Sequence, residues 1–203
     1  AYVALGHCHT PATNIQPFVD VSVDEEGKTP PAFKGPWETE AFRRLLENGI
    51  EWGLGRMEAF LGATGDPHLE IPCVHIGGTN GKGSVASTVA TVLNGGGHRV
   101  GLYTSPHLCS FRERNQIGGV QVSDSELREL AAELDSEVTR HSLTFFEAAT
   151  ALAFHLFKRR QVEILVIEVG LGGRLDATNV VTPFLTAITN VNVDHCDYLG
   201  STL

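Results

Sequence analysis

Basic residues are scarce in this chain, with 15 Lys and Arg against 24 Asp and Glu and a formal charge of −9. There is no basic run and no interleaving of basic with aromatic residues, so the electrostatic footprint of a nucleic-acid binder is missing. An anionic substrate would have to be drawn in by local dipoles, a lysine and metal ions. Long apolar runs are also lacking: nothing approaches the roughly 18 uninterrupted apolar residues of a membrane span. Nor does a basic segment followed by an apolar one mark the N-terminus for export. The four cysteines (Cys8, Cys73, Cys109 and Cys196) are far apart, without Cys-x-x-Cys spacing. That pattern fits reduced thiols in a cytoplasm better than a disulfide framework. No Asn-Lys-x-Asp segment is present to read a guanine, which weighs against a GTPase switch, and no internal repeat or low-complexity stretch is visible.

What the chain does have is the balance of a folded globular protein, 42% hydrophobic and 19% charged over 203 residues, enough for one principal domain. It opens at Ala1-Tyr2 and stops at Ser201-Thr202-Leu203 without an obvious terminal element, and is expected to be a fragment of a longer product. Residues 1–37 are broken by Lys28-Thr29-Pro30-Pro31 and Gly35-Pro36, show no sustained period, and read as an extended arm. His7-Cys8-His9 in that arm lacks the further ligands that a metal site needs. Residues 38–68 read as an N-terminal helical segment of two short helices: Phe42, Leu45 and Leu46 recur at helical intervals, stop at Asn48-Gly49, and resume with Leu54, Met57, Phe60 and Leu61.

From residue 69 onward strands and helices alternate, which predicts an α/β fold with a mostly parallel sheet flanked by helices. Ile71–Ile76 reads as a buried strand, followed by a glycine-rich loop and a helix from Lys82 to about Leu93. Arg99–Tyr103 is a second strand. Ser123-x-x-Glu126 and Thr144-x-x-Glu147 are capping boxes for helices running to about Arg140 and Lys158. Val162–Glu168 and Phe184–Thr189 read as further buried strands.

The strongest chemical feature is Gly77-Gly78-Thr79-Asn80-Gly81-Lys82-Gly83-Ser84, placed where a buried strand turns into a helix. Glycines let backbone N–H groups close on phosphate oxygens, the helix N-terminus favours an anion, and Lys82 supplies a positive charge at the β and γ phosphates. The spacing is not that of the standard phosphate loop. Ile76 stands where the first glycine would be, and Gly83 separates Lys82 from Ser84. Glu168 falls at the carboxyl end of a central strand, where open α/β sheets bind ligands and where a carboxylate can hold Mg²⁺. The run Gly170–Asn179 is too glycine-rich for a helix and too polar for core, so a loop at the same edge is expected. Ser105, leaving the second strand, is placed at that edge, as is Asp194-His195. On spacing alone, His195 is equally a metal ligand or a turn cap. His75 and His155, in apolar surroundings, read as satisfied core histidines.

Together, Gly78–Ser84, Thr104-Ser105-Pro106-His107-Leu108, Phe146-Glu147-Ala148, Glu168–Asn179 and Asp194-His195 resemble, in order, the motifs of the folylpolyglutamate synthase/dihydrofolate synthase family of Mur ligases. The resemblance runs from about Leu45 to the end. It implies a phosphate-loop NTPase-like Mur ligase central domain over residues 69–203. The implied reaction is ATP-dependent ligation of L-glutamate to dihydropteroate or a reduced folate through an acyl phosphate. By the same resemblance, Gly78, Thr79, Asn80, Gly81, Lys82, Gly83 and Ser84 would bind ATP. Lys82 would bridge its β and γ phosphates, Ser105 and Glu168 would hold one Mg²⁺, and His195 with Glu168 a second. Leu54, Gly55 and Arg56 resemble an early substrate loop, while Thr144, Phe145, Phe146 and Glu147 with Leu175, Asp176 and Ala177 resemble pterin contacts.

This sequence departs from the family pattern at Glu113-Arg114-Asn115-Gln116-Ile117-Gly118-Gly119, where relatives usually carry Glu-Arg-Ile-x-x-Asn-Gly. The family's carbamylated lysine and its glutamate-binding C-terminal domain would both lie beyond Leu203. These 203 residues alone are thus expected to bind nucleotide without completing ligation. A cytoplasmic monomer, with no nucleic-acid or membrane partner, is the matching expectation. A cell-wall Mur ligase and a non-catalytic nucleotide-binding module are the alternatives.

Overall fold

The computed structural model describes residues 54–193. The arm over residues 1–37, the helix expected around Phe42–Leu46, and Asp194-His195 lie outside the described residues.

Among the described residues six strands form one mixed sheet in the order β4-β3-β2-β5-β1-β6. They are β1 (Cys73–Gly77), β2 (Val100–Tyr103), β3 (Asn115–Ile117), β4 (Val120–Gln121), β5 (Ile164–Glu168) and β6 (Leu185–Ile188). β2, β5, β1 and β6 run parallel. β3 and β4 add to the β2 side as antiparallel strands. The expected α/β class and mostly parallel sheet are therefore observed. β5 is central because Ile164-Leu165-Val166-Ile167 offers apolar side chains to both faces of the sheet, as a strand covered on both sides must.

Among the described residues four helices accompany the sheet: α1 (Gly55–Ala63), α2 (Lys82–Gly95), α3 (Asp124–Arg140) and α4 (Phe145–Arg159). On one face the larger core joins Met57, Phe60 and Leu61 of α1 and Leu127 and Leu130 of α3. It continues through Leu152, Phe154, Leu156 and Phe157 of α4 to Leu165 and Ile167 of β5. On the other face α2 lies on Val74, Ile76, Val100, Leu102 and Val166, burying Ala86 and Ala90; small residues one turn apart let the helix sit close.

α4 starts where its capping box predicts: the Thr144 hydroxyl accepts from the Glu147 amide at 3.3 Å, and the Glu147 carboxylate accepts from the Thr144 amide at 2.8 Å. At α3 only half of the expected box forms. Ser123 accepts from the Glu126 amide at 3.2 Å, but the Glu126 carboxylate turns to Arg160 at 3.1 Å. An ion pair with the next helix end has displaced the local bond.

Other boundaries move for identifiable reasons. β1 begins at Cys73, not Ile71, because Pro72 has no N–H for a ladder; its carbonyl still accepts from the Leu165 amide at 2.8 Å. β5 begins at Ile164 because the Val162 amide closes the end of α4 on the Phe157 carbonyl at 3.0 Å. α2 runs on to Gly95 before Gly96 caps it. β6 corrects a larger reading. Among the described residues it is the outermost strand of the sheet, with Leu185 49% and Ile188 67% exposed, where a buried strand was expected. The β3–β4 hairpin was not expected; its signal is Gly118-Gly119, whose φ angles of +60° and +80° suit a two-residue turn between antiparallel strands.

Gly101 on β2 leaves room for α4. A Cβ there would stand 2.9 Å from Phe157 Cδ1 and 3.1 Å from Leu165 Cδ2, both in fully buried side chains with nowhere to move. Gly101→Ala is therefore expected to destabilise the fold by about 1–3 kcal/mol through overpacking. A lowered midpoint of urea unfolding checks this, and an unchanged midpoint would show that the α4–β2 contact is loose.

Candidate functional site at the carboxyl edge of the sheet

The loop expected to hold phosphate forms the strand-to-helix turn after β1. Gly78 and Gly81 have φ of +127° and +80°, a backbone that side-chain-bearing residues rarely adopt, and Lys82 opens α2. The loop is stapled to the segment leaving β6. The Thr79 amide donates to the Asn190 carbonyl at 2.9 Å, and the Asn80 amide donates to Asn190 Oδ1 at 2.9 Å. Thr79 Oγ1 donates to the Asn192 carbonyl at 3.2 Å and accepts from the Asn192 amide at 3.0 Å. A Cβ on Gly78 would meet Thr189 Oγ1 at 2.2 Å and the Asn190 carbonyl at 2.9 Å, so glycine is required by space as well as by φ. Lys82 Nζ donates to the Thr79 carbonyl at 3.2 Å, curled over its own loop. Asn190 and Asn192 were not singled out in the sequence; their only signal is amide side chains shortly after a strand at the binding edge.

Glu168 ends β5 beside this loop and is only 6% exposed. A Cβ on Gly83 would lie 3.3 Å from its Oε2, so the carboxylate packs on the first turn of α2. The Ser105 amide donates to Glu168 Oε2 at 3.0 Å, bringing Ser105 to the same place. Burial pushes the Glu168 carboxyl above the usual carboxylate range, against the Ser105 amide, the Lys82 charge, the Gly83 amide and the Arg114 charge. A buried carboxylate with that unmet demand for positive charge, beside a serine, is a donor set of hard oxygens suited to Mg²⁺ completed by phosphate and water. Among the described residues no three His, Cys, Asp or Glu cluster as metal ligands, and His195 is not among them.

The Gly170–Asn179 loop follows β5 at this edge, but it is not wholly a surface loop: Asp176, Ala177 and Thr178 are buried. Its polar groups satisfy one another. Asp176 Oδ2 accepts from the Leu171 amide at 2.8 Å, and Oδ1 accepts from the Thr178 amide at 3.0 Å and from Thr178 Oγ1 at 2.5 Å. Because that hydroxyl donates its one proton to Asp176, it must accept from His75 Nε2, 2.9 Å away, which assigns the proton on His75 to Nε2. His75 is thus a satisfied core histidine, as expected, and burial holds its pKa below the ordinary value despite Asp176. His155, at 3.0 Å from Thr64 Oγ1, is likewise satisfied.

The segments expected to contact a pterin are brought together at Gly170. A Cβ there would lie 2.3 Å from Phe146 Cζ and 2.9 Å from Asp176 Oδ2, so the opening turn of α4 and the Leu175–Ala177 segment meet over this glycine. Leu175 is 38% exposed and Phe145 47%, apolar surface open to a ligand. Both oxygens of Asp176, by contrast, are engaged within the loop. The segment from Leu54 is not a loop from Gly55 onward: Gly55 and Arg56 lie in the first turn of α1. Arg56 reaches Glu147 at 3.3 Å, linking two residues expected in the substrate site across 91 positions.

His107, Phe111 and Arg114 form a cluster that no sequence motif announces. The segment leading to β3 carries a capping box at Ser110 and Glu113, while the Glu113 carboxylate also accepts from the Leu108 and Cys109 amides at 2.6 and 2.9 Å. These bonds hold Glu113 below the usual carboxylate range. Arg114 Nε donates to His107 Nδ1 at 2.9 Å, and its guanidinium carbon lies 6.0 and 5.9 Å from the ring centres of Phe111 and Phe145.

A glycine-rich turn at the switch from β1 to α2, with a strand-end glutamate on its helix, is the arrangement that nucleotide-binding α/β domains use. The family model of the Mur ligase middle domain matches residues 76–203, and the chain belongs to that family. Over 165 residues it is 39% identical to the dihydrofolate synthase/folylpolyglutamate synthase of Bacillus subtilis, covering 78% of this chain and 38% of that relative. It is similar in structure to the folylpolyglutamate synthase of Thermotoga maritima, with a TM-score of 0.70 and 43% identity over 76% of this chain and 38% of that one. It is also similar to the Mycobacterium tuberculosis folylpolyglutamate synthase complexed with ADP, with a TM-score of 0.70 and 36% identity over 79% and 40% of the two chains. The chain thus spans about two fifths of the length of these relatives, from 38% to 40%. Among the described residues no helix is long and apolar enough to cross a membrane.

Gly78→Ala, in the complete protein, is expected to force the phosphate loop off the Asn190 segment and to weaken binding of a non-hydrolysable ATP analogue by at least about tenfold, or ~1.4 kcal/mol. Titration calorimetry reads the loss directly; wild-type affinity would mean that the loop tolerates displacement from Thr189.

Proposed function

We propose that the protein of which these residues form part joins L-glutamate to dihydropteroate or a reduced folate, using ATP and an acyl-phosphate intermediate. The observation that carries this reading is the contact of the Glu168 carboxylate with Gly83 on the phosphate-loop helix, with the Ser105 amide bonded to the same carboxylate. It supports a metal-binding role for Glu168, beside the loop that would hold the terminal phosphate of a nucleotide. The similarity to relatives named dihydrofolate synthase/folylpolyglutamate synthase supports the choice of substrate, and the similarity to a structure complexed with ADP supports the nucleotide.

In the proposed reaction a substrate carboxylate oxygen attacks the γ phosphorus of ATP and ADP leaves. The amine of glutamate then attacks the acyl carbon, loses a proton, and inorganic phosphate departs. Phosphorylation makes a good leaving group from a poor one. The loop amides from Gly78 to Ser84 cradle the phosphates, and Lys82 exchanges its bond to the Thr79 carbonyl for the β and γ oxygens. Ser105 and Glu168 would hold one Mg²⁺, with His195 and Glu168 holding a second; the ion supplies charge neutralisation at the transferring phosphoryl group. Phe145, Phe146 and Leu175 offer apolar surface for a pterin, while Leu54, Gly55, Arg56, Thr144, Glu147, Asp176 and Ala177 shape its surroundings. In the matching domain arrangement, residues 1–37 are an arm, 38–68 a helical segment and 69–203 the ATP-binding domain. A glutamate-binding domain would lie outside these residues, and the protein would work as a cytoplasmic monomer without nucleic-acid or membrane partners.

The test uses the complete protein with Mg-ATP and glutamate, offered dihydropteroate, a reduced folate or a cell-wall nucleotide precursor, with products identified by mass. Glutamate added to a pterin substrate with ADP formed is expected. Addition only to the cell-wall precursor would assign a cell-wall ligase, and nucleotide binding without product a non-catalytic module. Lys82→Ala is expected to abolish ATP turnover while leaving thermal unfolding nearly unchanged; unaltered turnover would remove the loop from the mechanism.

A further inference from the structure

Arg114 stands out because its charge is buried without an anionic partner. The residue is 3% exposed, and among the described residues no carboxylate lies within ion-pair distance of it. One guanidinium nitrogen bonds the neutral ring nitrogen of His107, two aromatic rings flank the group, and Nη1 is buried with no hydrogen-bond partner. The next residue, Asn115, is fully buried and leaves both side-chain amide atoms unpartnered. Taking a cation out of water costs several kcal/mol unless it is paired, so an arrangement of this kind is normally completed by an anion.

The surroundings say which anion fits. Phe145, one of the two rings beside Arg114, opens α4 next to Phe146, which packs over Gly170; its other neighbours are His107, two residues past Ser105, and the Tyr103 hydroxyl, itself bonded to Thr150 Oγ1 at 3.1 Å. Arg114 is also near enough to Glu168 for its charge to be felt there. The guanidinium therefore lies between the apolar surface proposed for the pterin and the carboxylate proposed to hold Mg²⁺. In an acyl-phosphate reaction that is where the substrate carboxylate must wait. We propose that Arg114, braced by His107 and the Phe111 and Phe145 rings, binds the substrate carboxylate that ATP phosphorylates. Because Arg114 Nε donates to His107 Nδ1, that ring nitrogen carries no proton, and His107 braces Arg114 as an acceptor. A planar guanidinium can hold both carboxylate oxygens, aligning one of them for attack on phosphorus.

This inference rests on the proposed function, and the test separates the two. In the complete protein, binding of dihydropteroate is compared with that of its carboxamide analogue, in wild type, R114Q and R114K. The expected result is a selective loss: R114Q weakens the carboxylate ligand at least about tenfold, or ~1.4 kcal/mol, and the carboxamide less than about twofold. R114K, which keeps the charge but not the fork, is expected to fall between. Equal weakening of both ligands in R114Q would assign Arg114 a structural role and overturn the inference alone. Failure of the wild type to bind any pterin carboxylate would overturn the proposed function, and this inference with it. Should R114Q fail to fold by circular dichroism, R114K carries the comparison: wild-type discrimination between the two ligands in R114K would overturn the bidentate contact, and reduced discrimination would support it.

Discussion

At Gly78 and Gly83 the lack of a side chain lets two other parts of the chain touch the phosphate loop. Thr189 and Asn190 close on the first, and the Glu168 carboxylate packs on the second. The first contact fixes where the loop amides sit, through main-chain and side-chain bonds from Asn190 and Asn192. The second brings a buried negative charge to the start of α2. Together they make one site out of β1, β5 and the segment after β6, and each depends on strands being neighbours in the sheet order β5-β1-β6.

The same economy of side chains recurs at the segments proposed to contact a pterin. Gly170 lets Phe146 and Asp176 approach, and the Asp176–Thr178–His75 chain locks the loop from beneath with every proton assigned. The loop can thus leave Leu175 facing outward while its polar residues are buried, because they satisfy one another's hydrogen bonds. Arg114 is the exception: a buried charge set beside a neutral ring nitrogen, the Tyr103 hydroxyl and two π faces, with no carboxylate in ion-pair reach among the described residues.

Much of this was legible along the chain because its cause is local. A glycine-rich turn between a buried run and an amphipathic one announces a phosphate loop, and Glu168 follows four apolar residues that can only be an interior strand. The Thr144–Glu147 capping box lies within four residues and forms as read. Where the reading failed, the deciding partner was distant. Glu126 left its own helix cap for Arg160, and β6 has no strand on its outer side among the described residues, so its apolar run is exposed there.

Sequence alone determined the glycine-rich turn after β1, the strand-end carboxylate, the alternation of strands and helices and, through the order of its motifs, the Mur ligase family. Those features depend on residue types a few positions apart, whose backbone preferences and periodicity act before the chain folds. Tertiary structure alone decided that Asn190 and Asn192 staple the loop, that Arg56 meets Glu147, and that Arg114 is buried among His107, Phe111 and Phe145. Burial and charge pairing are properties of neighbours in space, and across separations as large as 113 residues they exist only once the sheet has set its strand order.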